Sequence, residues 1–227
     1  MAKSNKKKAE VNEFDETIAA SKSFFEKYEK QIIYGVSTIL AIVIAVLLIH
    51  QFYITPRNNR ANESLFRAEQ LFQEGNFEKA LNGDETTGAL GFLAVADKFG
   101  STKAGNLARL YAGMCYAHTG KYQEAVDMLQ KFDGCGDEMV SPAVLGTLGN
   151  CFAQLGQNEK AVETLVNAAK KADNNTLSPQ FLLQAGQIYE SLGQADKALD
   201  CYKQIKENYQ QSYIYAEVDK YIERLGK

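Results

Sequence analysis

The sequence predicts an all-α protein, in which a single N-terminal transmembrane helix is followed by a solenoid of helical hairpins. A charge-free apolar run near the amino end predicts the transmembrane helix, and a pattern repeated three times predicts the solenoid. The composition agrees, because 45 % hydrophobic and 23 % charged residues are typical of a folded chain. We divide the 227 residues into a polar tail (1–31), the transmembrane helix (32–54), a linker (55–60) and a repeat domain with a C-terminal capping helix (61–227).

Charge and histidine content exclude several classes of function. The chain has 25 Lys and Arg against 28 Asp and Glu, a net charge of −3, so it lacks an overall basic field to hold nucleic-acid phosphates. Its two histidines, His50 and His118, are too few to build a metal site or an activated nucleophile. The glycine pattern of a phosphate loop is also absent. We therefore expect no catalysis, no cofactor, no metal and no nucleic-acid partner.

The transmembrane prediction rests on Ile32–Ile49, IIYGVSTILAIVIAVLLI, which has 18 residues without a charge, 12 of them Ile, Leu or Val. A helix continued five residues further exceeds the roughly 30 Å of a hydrocarbon core. Tyr34 on one side and Phe52 with Tyr53 on the other suit the two membrane interfaces. The alternatives are a buried core helix, which would carry a polar face, and a cleaved signal peptide, whose apolar region is usually about 7 to 15 residues long. We expect an uncleaved anchor that places residues 32–54 in a lipid bilayer.

The orientation of this anchor depends on the charges that flank it. The extreme amino end adds four further lysines to the three near the span, and a long C-terminal domain crosses a membrane regardless of its charge. We therefore expect a cytoplasmic amino terminus and an exterior repeat domain. The reverse topology, with the repeats in the cytosol as a docking receptor, is an alternative. The near flanks are matched: Lys22, Lys27 and Lys30 precede the span, and Arg57, Arg60 and Arg67 follow it.

Past the anchor, three segments beginning at Ala108, Val144 and Phe181 align without gaps. Each has a glycine, an aromatic residue, a turn glycine, an alanine, and a large residue four positions after that alanine. The first glycine and the alanine remove side chains where two antiparallel helices press together, and the turn glycine supplies a left-handed cap. In chain order the sets are Gly113, Tyr116, Gly120, Ala125 and Leu129; Gly149, Phe152, Gly156, Ala161 and Leu165; and Gly186, Tyr189, Gly193, Ala198 and Tyr202.

This pattern resembles the tetratricopeptide repeat, whose period is about 34 residues. The resemblance runs from about Ala61 to about Ser212, and the turn glycines of the three clear copies are 36 and 37 residues apart. A weaker first copy has its turn at Gly75, with extra residues assigned to Asn82–Gly88 and another amphipathic helix after them. The end of the chain predicts a capping helix through Tyr213, Ala216, Val218, Tyr221 and Leu225.

The wider arrangement resembles a specific family. FFEKYEKQ precedes a single span, and a short polar stretch, an irregular first hairpin with KFGSTKAGNLARL and regular repeats follow it. This is similar to the YfgM-type ancillary subunit of the bacterial Sec translocon, most of all at the junction and at Ala94–Leu110. The resemblance implies a span in the bacterial inner membrane and repeats in the periplasm. It also implies association with the Sec translocon and a periplasmic membrane-anchored folding factor, with secreted proteins as further clients.

Four cysteines matter because an exterior domain lies in an oxidising compartment. Cys115 and Cys151 occupy equivalent places on adjacent first helices, about 8–10 Å apart, which exceeds the roughly 7 Å between α-carbons that a disulfide tolerates. We expect both of them, and Cys201, to be small buried hydrophobic residues. Cys135, within DGCGD, is expected in an exposed glycine loop.

The surface that we expect to bind is the hollow formed by successive first helices. Repeat domains that hold acidic C-terminal tails use Lys and Arg there, whereas this set is apolar in the first two repeats and amide-rich in the last two. It suits an extended segment or an amphipathic helix, with main-chain hydrogen bonds taken by Asn150 and Gln154. The alternative is that Leu107, Leu110 and Met114 only pack beneath the irregular first hairpin. The predicted groove residues are Phe72, Leu107, Leu110, Met114, His118, Asn150, Gln154, Leu183 and Gln187.

Together these features predict a membrane-anchored adaptor or chaperone of the Sec protein-export machinery. It would bind proteins on the periplasmic side without catalysis. The rival from another class is a structural subunit of a cell-envelope complex, which would use its repeats for permanent assembly.

Overall fold

The computed structural model describes residues 22, 27–31, 33–134 and 137–226. It divides the chain into two compact units, Met1–Pro56 and Arg57–Lys227. Most of the N-terminal tail and Cys135 lie outside the described residues, so the predictions that concern them stay predictions.

The apolar run forms a helix, α1 (33–49), that continues into a π-helical turn, His50–Ile54. Among the described residues one helix, Lys27–Gln73, is long and apolar enough to cross a membrane by length and composition. All side chains from 33 to 54 are exposed, which differs from the alternative of a buried core helix.

Pro56 does not stop the helix but reshapes the turn before it. A proline ring in a regular helix clashes with the carbonyl four residues earlier, and a π-turn relieves such crowding by widening the helix. Here both the backbone N–H and the Oγ1 of Thr55 donate to the carbonyl oxygen of His50, the latter at 2.9 Å. Residues 55–60, which the sequence analysis assigned to a linker, are therefore helical.

The remainder of the chain is a series of helical hairpins. The helices are α2 (Thr55–Gln73), α3 (Phe77–Asn82), α4 (Phe92–Lys98), α5 (Lys103–His118), α6 (Tyr122–Leu129), α7 (Val140–Gln154), α8 (Asn158–Ala172), α9 (Ser178–Ser191), α10 (Ala195–Asn208) and α11 (Asp219–Leu225). From α3 onward each helix packs on the next along the sequence, and α2 contributes Ala61, Leu65 and Ala68 to the core that it shares with α3 and α4. The predicted all-α solenoid is confirmed.

The predicted turn glycines end the first helix of each hairpin in the same way. Gly120 has φ of 76°, its N–H donates to the carbonyl of Ala117 at 3.2 Å, and the N–H of Lys121 donates to Tyr116 at 2.9 Å. This pair of bonds satisfies carbonyls that a helix end leaves free, and it requires a left-handed residue. The same two bonds follow α2, α7 and α9, where Gly75, Gly156 and Gly193 have φ of 78°, 70° and 71°.

The helices of each hairpin meet where the sequence predicted. A β-carbon at Gly113 would stand 2.6 Å from Leu129 Cγ, and one at Gly149 would stand 2.7 Å from Leu165 Cγ. The facing alanines, Ala125 and Ala161, are fully buried. Small residues on both helices thus let the backbones approach, and the large residue fills the space above the glycine.

The first hairpin differs from the others because of its extra residues. They form two short antiparallel strands, β1 (Gly83–Asp84) and β2 (Ala89–Leu90), between α3 and α4. The turn between them is closed by Asp84, whose Oδ1 accepts from the N–H of Thr86 at 3.0 Å. Gly91 has to be a glycine, because a β-carbon there would stand 2.3 Å from the nitrogen of Gly83.

The C-terminal cap is shorter than the sequence predicted. Residues 209–218 form no α-helix but a series of turns, and only α11 is helical. Ile214 and Val218 are 2 % and 0 % exposed and seal the last hairpin, whereas Tyr213 is 71 % exposed. The predicted face was therefore wrong at Tyr213 and at Ala216, which is also exposed, because the turns direct Ile214 inward instead.

Candidate protein-binding groove

The first helices of three successive hairpins, α5, α7 and α9, border a cavity of about 610 Å³. This volume is within the about 300–1,000 Å³ typical of ligand sites. Its lining residues are Met114, Ala117, His118, Tyr122, Thr147, Asn150, Cys151, Ala153, Gln154, Gln184, Gln187, Ile188 and Ser191. Five of the nine predicted groove residues, namely Met114, His118, Asn150, Gln154 and Gln187, are in this set.

The lining combines amide side chains with apolar ones, and it includes no Lys, Arg, Asp or Glu. Asn150, Gln154 and Gln187 are exposed, and the amides of Asn150 and Gln154 are accessible to donate and accept. The Oε1 of Gln184 is buried and has no hydrogen-bond partner among the described residues. A buried polar atom without a partner is costly.

His118 forms one end of the cavity through an aromatic cluster. Its ring stacks on Phe77 with centroids 4.4 Å apart and ring planes 3° apart. Phe72 meets Phe77, Tyr111 and His118 edge to face, at 5.2, 5.5 and 6.0 Å. Phe72 therefore supports the wall of the groove from behind rather than lining it.

Three predicted leucines lie elsewhere. Leu110 is 9 % exposed and belongs to the core cluster of α6 and α7, because it lies on the side of α5 that packs against those helices. Leu107 packs between this cluster and the one beneath the first hairpin, as the alternative interpretation held for it. Leu183 is partly buried against the cluster of α9 and α10. Met114 packs partly on the core and also lines the cavity.

Gln184 and Ile188 also line the cavity, although the sequence did not predict them there. Gln187 was predicted, and α9 presents Gln184 and Ile188 on the same face, three residues before it and one after it. A stricter reading of helical spacing from Gln187 would have found Gln184. Tyr122 contributes from the start of α6, a helix that the prediction did not consider.

The capping helix α11 contacts α9 at Gln187 and Glu190. Tyr221 Oη lies 3.4 Å from Nε2 of Gln187, within hydrogen-bond distance. Arg224 Nη2 donates to both carboxylate oxygens of Glu190 at 2.7 Å, and the hydroxyl of fully buried Tyr202 donates to the same carboxylate. Burial, followed by this bond to Glu190, raises the pKa of Tyr202. The carboxylate of Glu190, which accepts hydrogen bonds from both Arg224 and Tyr202, thus fixes the cap to α9.

The three cysteines in the described part of the chain are buried, weakly acidic thiols. Cys115, Cys151 and Cys201 are buried and free, as predicted. Burial raises the pKa of Cys115 to about 12 and that of Cys201 to about 11, and it also raises the pKa of Cys151. Within the part of the chain that the structure describes, no group of three or more His, Cys, Asp and Glu residues could hold a metal ion.

Comparison with known proteins decides the family. The tetratricopeptide repeat-like domain matches residues 22–226 of the chain. The chain belongs to this family. Tetratricopeptide repeat domains are typically non-catalytic scaffolds for protein interaction, so the repeats imply a protein-binding adaptor. No match was found among curated proteins.

Two solved tetratricopeptide-like structures share the fold at low identity. One is described as Podosopora anserina putative kinesin light chain nearly identical TPR-like repeats, with 15 % identity, a TM-score of 0.55 and coverage of 74 % of this chain and 85 % of that chain. The other is the MamA protein, with 18 % identity, a TM-score of 0.50 and coverage of 73 % and 86 %. At these identities the similarity establishes the architecture alone.

Proposed function

We propose that this tetratricopeptide repeat protein is a membrane-anchored adaptor or chaperone, which holds extended segments of other proteins in the groove of α5, α7 and α9. The observation that carries the proposal is the uncharged, amide-rich lining of that groove. Amide side chains pair with the main chain of an extended segment, whatever its sequence, and Met114 and Ile188 offer apolar contacts.

The anchor supplies the affinity that such a groove lacks. Without a charged clamp, its contacts with one segment would be weak, of roughly micromolar strength. A helix fixed in the bilayer keeps the groove at a high effective concentration toward partners in the same membrane. The exposed apolar side chains of 33–54 support this anchor, because water is a poor solvent for a surface of that kind.

We assign the partner to the Sec protein-export machinery, with the repeats on the periplasmic side of the bacterial inner membrane. A periplasmic folding factor and secreted chains complete the set of partners. The support for this assignment is the resemblance of the sequence around the span and at Ala94–Leu110 to the YfgM-type subunit. The lysine-rich amino end supports the cytoplasmic location of the amino terminus.

Site-specific photo-cross-linking in cells tests the proposal. A photoreactive residue at Gln154, exposed in the groove, is compared with one at Glu163, exposed on α8. We expect position 154 to form adducts with translocon subunits or with secreted chains in transit. We expect position 163 to form none. Deleting residues 32–54 should abolish the adducts while the fold persists. Adducts of equal yield at both positions, or an identical pattern without the span, would contradict the proposal.

A further inference from the structure

A group of basic side chains gathers where the repeat domain begins. Arg57 and Arg60 lie one turn apart on α2, and Lys98 and Lys103 flank the loop between α4 and α5. Arg60, Lys98 and Lys103 are exposed, and Arg57 is partly so. We call Arg57, Arg60, Lys98 and Lys103 the basic collar.

The structure fixes the loop of the collar to the start of α2. Arg57 Nη2 donates to the carbonyl of Lys98 at 2.8 Å, and its guanidinium lies 5.8 Å from the ring centroid of Phe99. From the other side, Arg109 Nη2 donates to the carbonyl of Gly100 at 3.1 Å. The two guanidinium groups hold the loop by its carbonyls, so the loop backbone is held close to the start of α2.

The described cations of the collar are not held in ion pairs, and they outnumber the acidic residues nearest to them, Asp97, Asp133 and Asp137. None of its four cations forms an ion pair with another residue in the described ranges. By contrast Arg67, the basic residue that follows Arg60 on α2, pairs with Glu63 at 2.8 Å. Residues 55–62 contain no acidic side chain, and Asp97 is the single acidic residue between 92 and 103, but Asp133 and Asp137 border the same cavity as Lys103. The collar therefore carries a net positive charge on a protein whose total charge is −3.

Chain connectivity fixes how far the collar can be from a bilayer. Arg57 follows residue 54, the end of the proposed span, by three residues, which reach at most about 11 Å. Because residues 55–57 are helical, the actual rise is about 4.5 Å, which is within the roughly 5–7 Å of a headgroup layer and within one Debye length of about 8 Å at physiological salt. Because Arg57 is hydrogen-bonded to the carbonyl of Lys98, the backbone of Lys98 lies within one arginine side chain of the backbone of Arg57.

We propose that the basic collar docks the repeat domain onto the membrane surface by binding the phosphates of anionic lipid headgroups. The proposal rests on the anchoring part of the proposed function. Cations near an anionic surface are attracted to it, whereas the negative charge of the rest of the chain is repelled. Docking at the collar would hold the domain in one orientation on the bilayer, so that the groove presents the same side to its membrane partners.

Lipid-dependent fluorescence quenching on the full-length chain tests this. A dye is attached at Ser101→Cys, in the exposed loop, on a Cys135→Ser background in which the three remaining cysteines are buried. The chain is reconstituted into phosphatidylcholine vesicles with or without phosphatidylglycerol, and nitroxide headgroups serve as the quencher. We expect stronger quenching with phosphatidylglycerol and a return to the neutral-lipid value at high salt.

Matched charge changes make the test specific. In K98Q/K103Q the ratio of docked to undocked chain should fall about fivefold for each lysine removed. K170Q/K171Q, the same charge change at two exposed lysines of α8, should leave quenching unchanged. Equal quenching in the two lipids, or an equal loss in both variants, overturns the proposal. Displacement by soluble polyglutamate without any lipid dependence would assign the collar to an acidic protein and also overturn it.

The same samples separate this proposal from the one on which it rests. If an alkaline carbonate wash removes the chain from the vesicles, the anchor fails and the docking proposal fails with it. If the chain resists the wash and quenching ignores phosphatidylglycerol, the anchor stands and the docking proposal alone fails.

Discussion

Gly186 lies directly beneath the ring of Tyr202, so that a β-carbon at position 186 would stand 2.3 Å from Tyr202 Cε1. Leu129 and Leu165 occupy the equivalent place above Gly113 and Gly149. The last hairpin thus uses a larger side chain at this position, and the hydroxyl of Tyr202 reaches Glu190, to which Arg224 of the cap also binds. One glycine therefore controls both the packing of α9 on α10 and the placement of the cap.

Gly186→Ala should destabilise the protein by overpacking. A methyl group inserted beneath a fully buried ring typically costs about 1–3 kcal/mol. For a domain of this size each kcal/mol lowers Tm by about 2–4 °C, measured by circular dichroism of the full-length chain in detergent. Glu163→Ala, at an exposed residue of α8, is the control and should leave Tm nearly unchanged. Gly186→Ala combined with Tyr202→Ala should lose less than the sum of the single changes, and strict additivity would contradict a direct contact.

The pH dependence of stability should report on Glu69. Burial raises the pKa of Glu69 above its ordinary 4.5, against the lowering effect of a hydrogen bond with Tyr111. The folded chain therefore binds this proton more tightly than the unfolded chain, and the resulting stability is present below 4.5 and lost as pH rises through the raised pKa.

Glu69→Gln keeps a hydrogen-bonding side chain but cannot ionise. It should raise Tm relative to the unmodified chain at about pH 7, and the difference should shrink as the pH falls below the ordinary pKa. Glu63→Gln, at an exposed residue paired with Arg67, is the control and should not raise Tm at neutral pH. A Tm gain for Glu69→Gln that is the same at both ends of the pH range would show that ionisation is not its cause.

The cysteines allow a direct test of sidedness. Cys115, Cys151 and Cys201 are buried and their pKa values are raised, so thiolate is scarce and a membrane-impermeant maleimide should not reach them. We expect labelling of intact spheroplasts to occur at Cys135 and to vanish in Cys135→Ser. Labelling that requires detergent-opened cells would place the repeats in the cytosol. Persistent labelling of Cys135→Ser in the folded chain would contradict the burial of the other three thiols.

The sequence carries the repeat architecture because its signals are steric. Gly113, Gly149 and Gly186 each leave room for one large side chain, and a requirement of this kind recurs in every hairpin. The β-hairpin of the first repeat has no such signal. Its strands are two residues long, which is too short for an alternating pattern. Asp84 closes the turn by accepting a hydrogen bond from Thr86, and no repeated sequence pattern indicates this bond.

The groove was predicted in part for a similar reason. Helical spacing places Met114 on the exposed face of α5 and Asn150 and Gln154 on the same face of α7, and the structure brings the three to one cavity. Spacing alone does not say which side of α5 the helices α6 and α7 cover, and Leu110 is buried in the core cluster that they share. The same limit applies to Tyr213, because residues 209–218 form turns to which a period of 3.6 residues does not apply.

The contrast between Leu110 and Met114, one turn apart on α5, separates the core from the groove. Leu110→Ala should cost about 2–5 kcal/mol, as for other buried leucines, because the cavity left among Ala125, Val126 and Val144 cannot fully collapse. Met114 is partly exposed, so Met114→Ala should lower Tm by much less, yet it should reduce the yield of cross-links from Gln154 by removing an apolar contact with the bound segment. The measurements are thermal unfolding of both variants and cross-linking yield at position 154. If Met114→Ala lowers Tm as much as Leu110→Ala while leaving the cross-links intact, position 114 belongs to the core and the groove begins at His118.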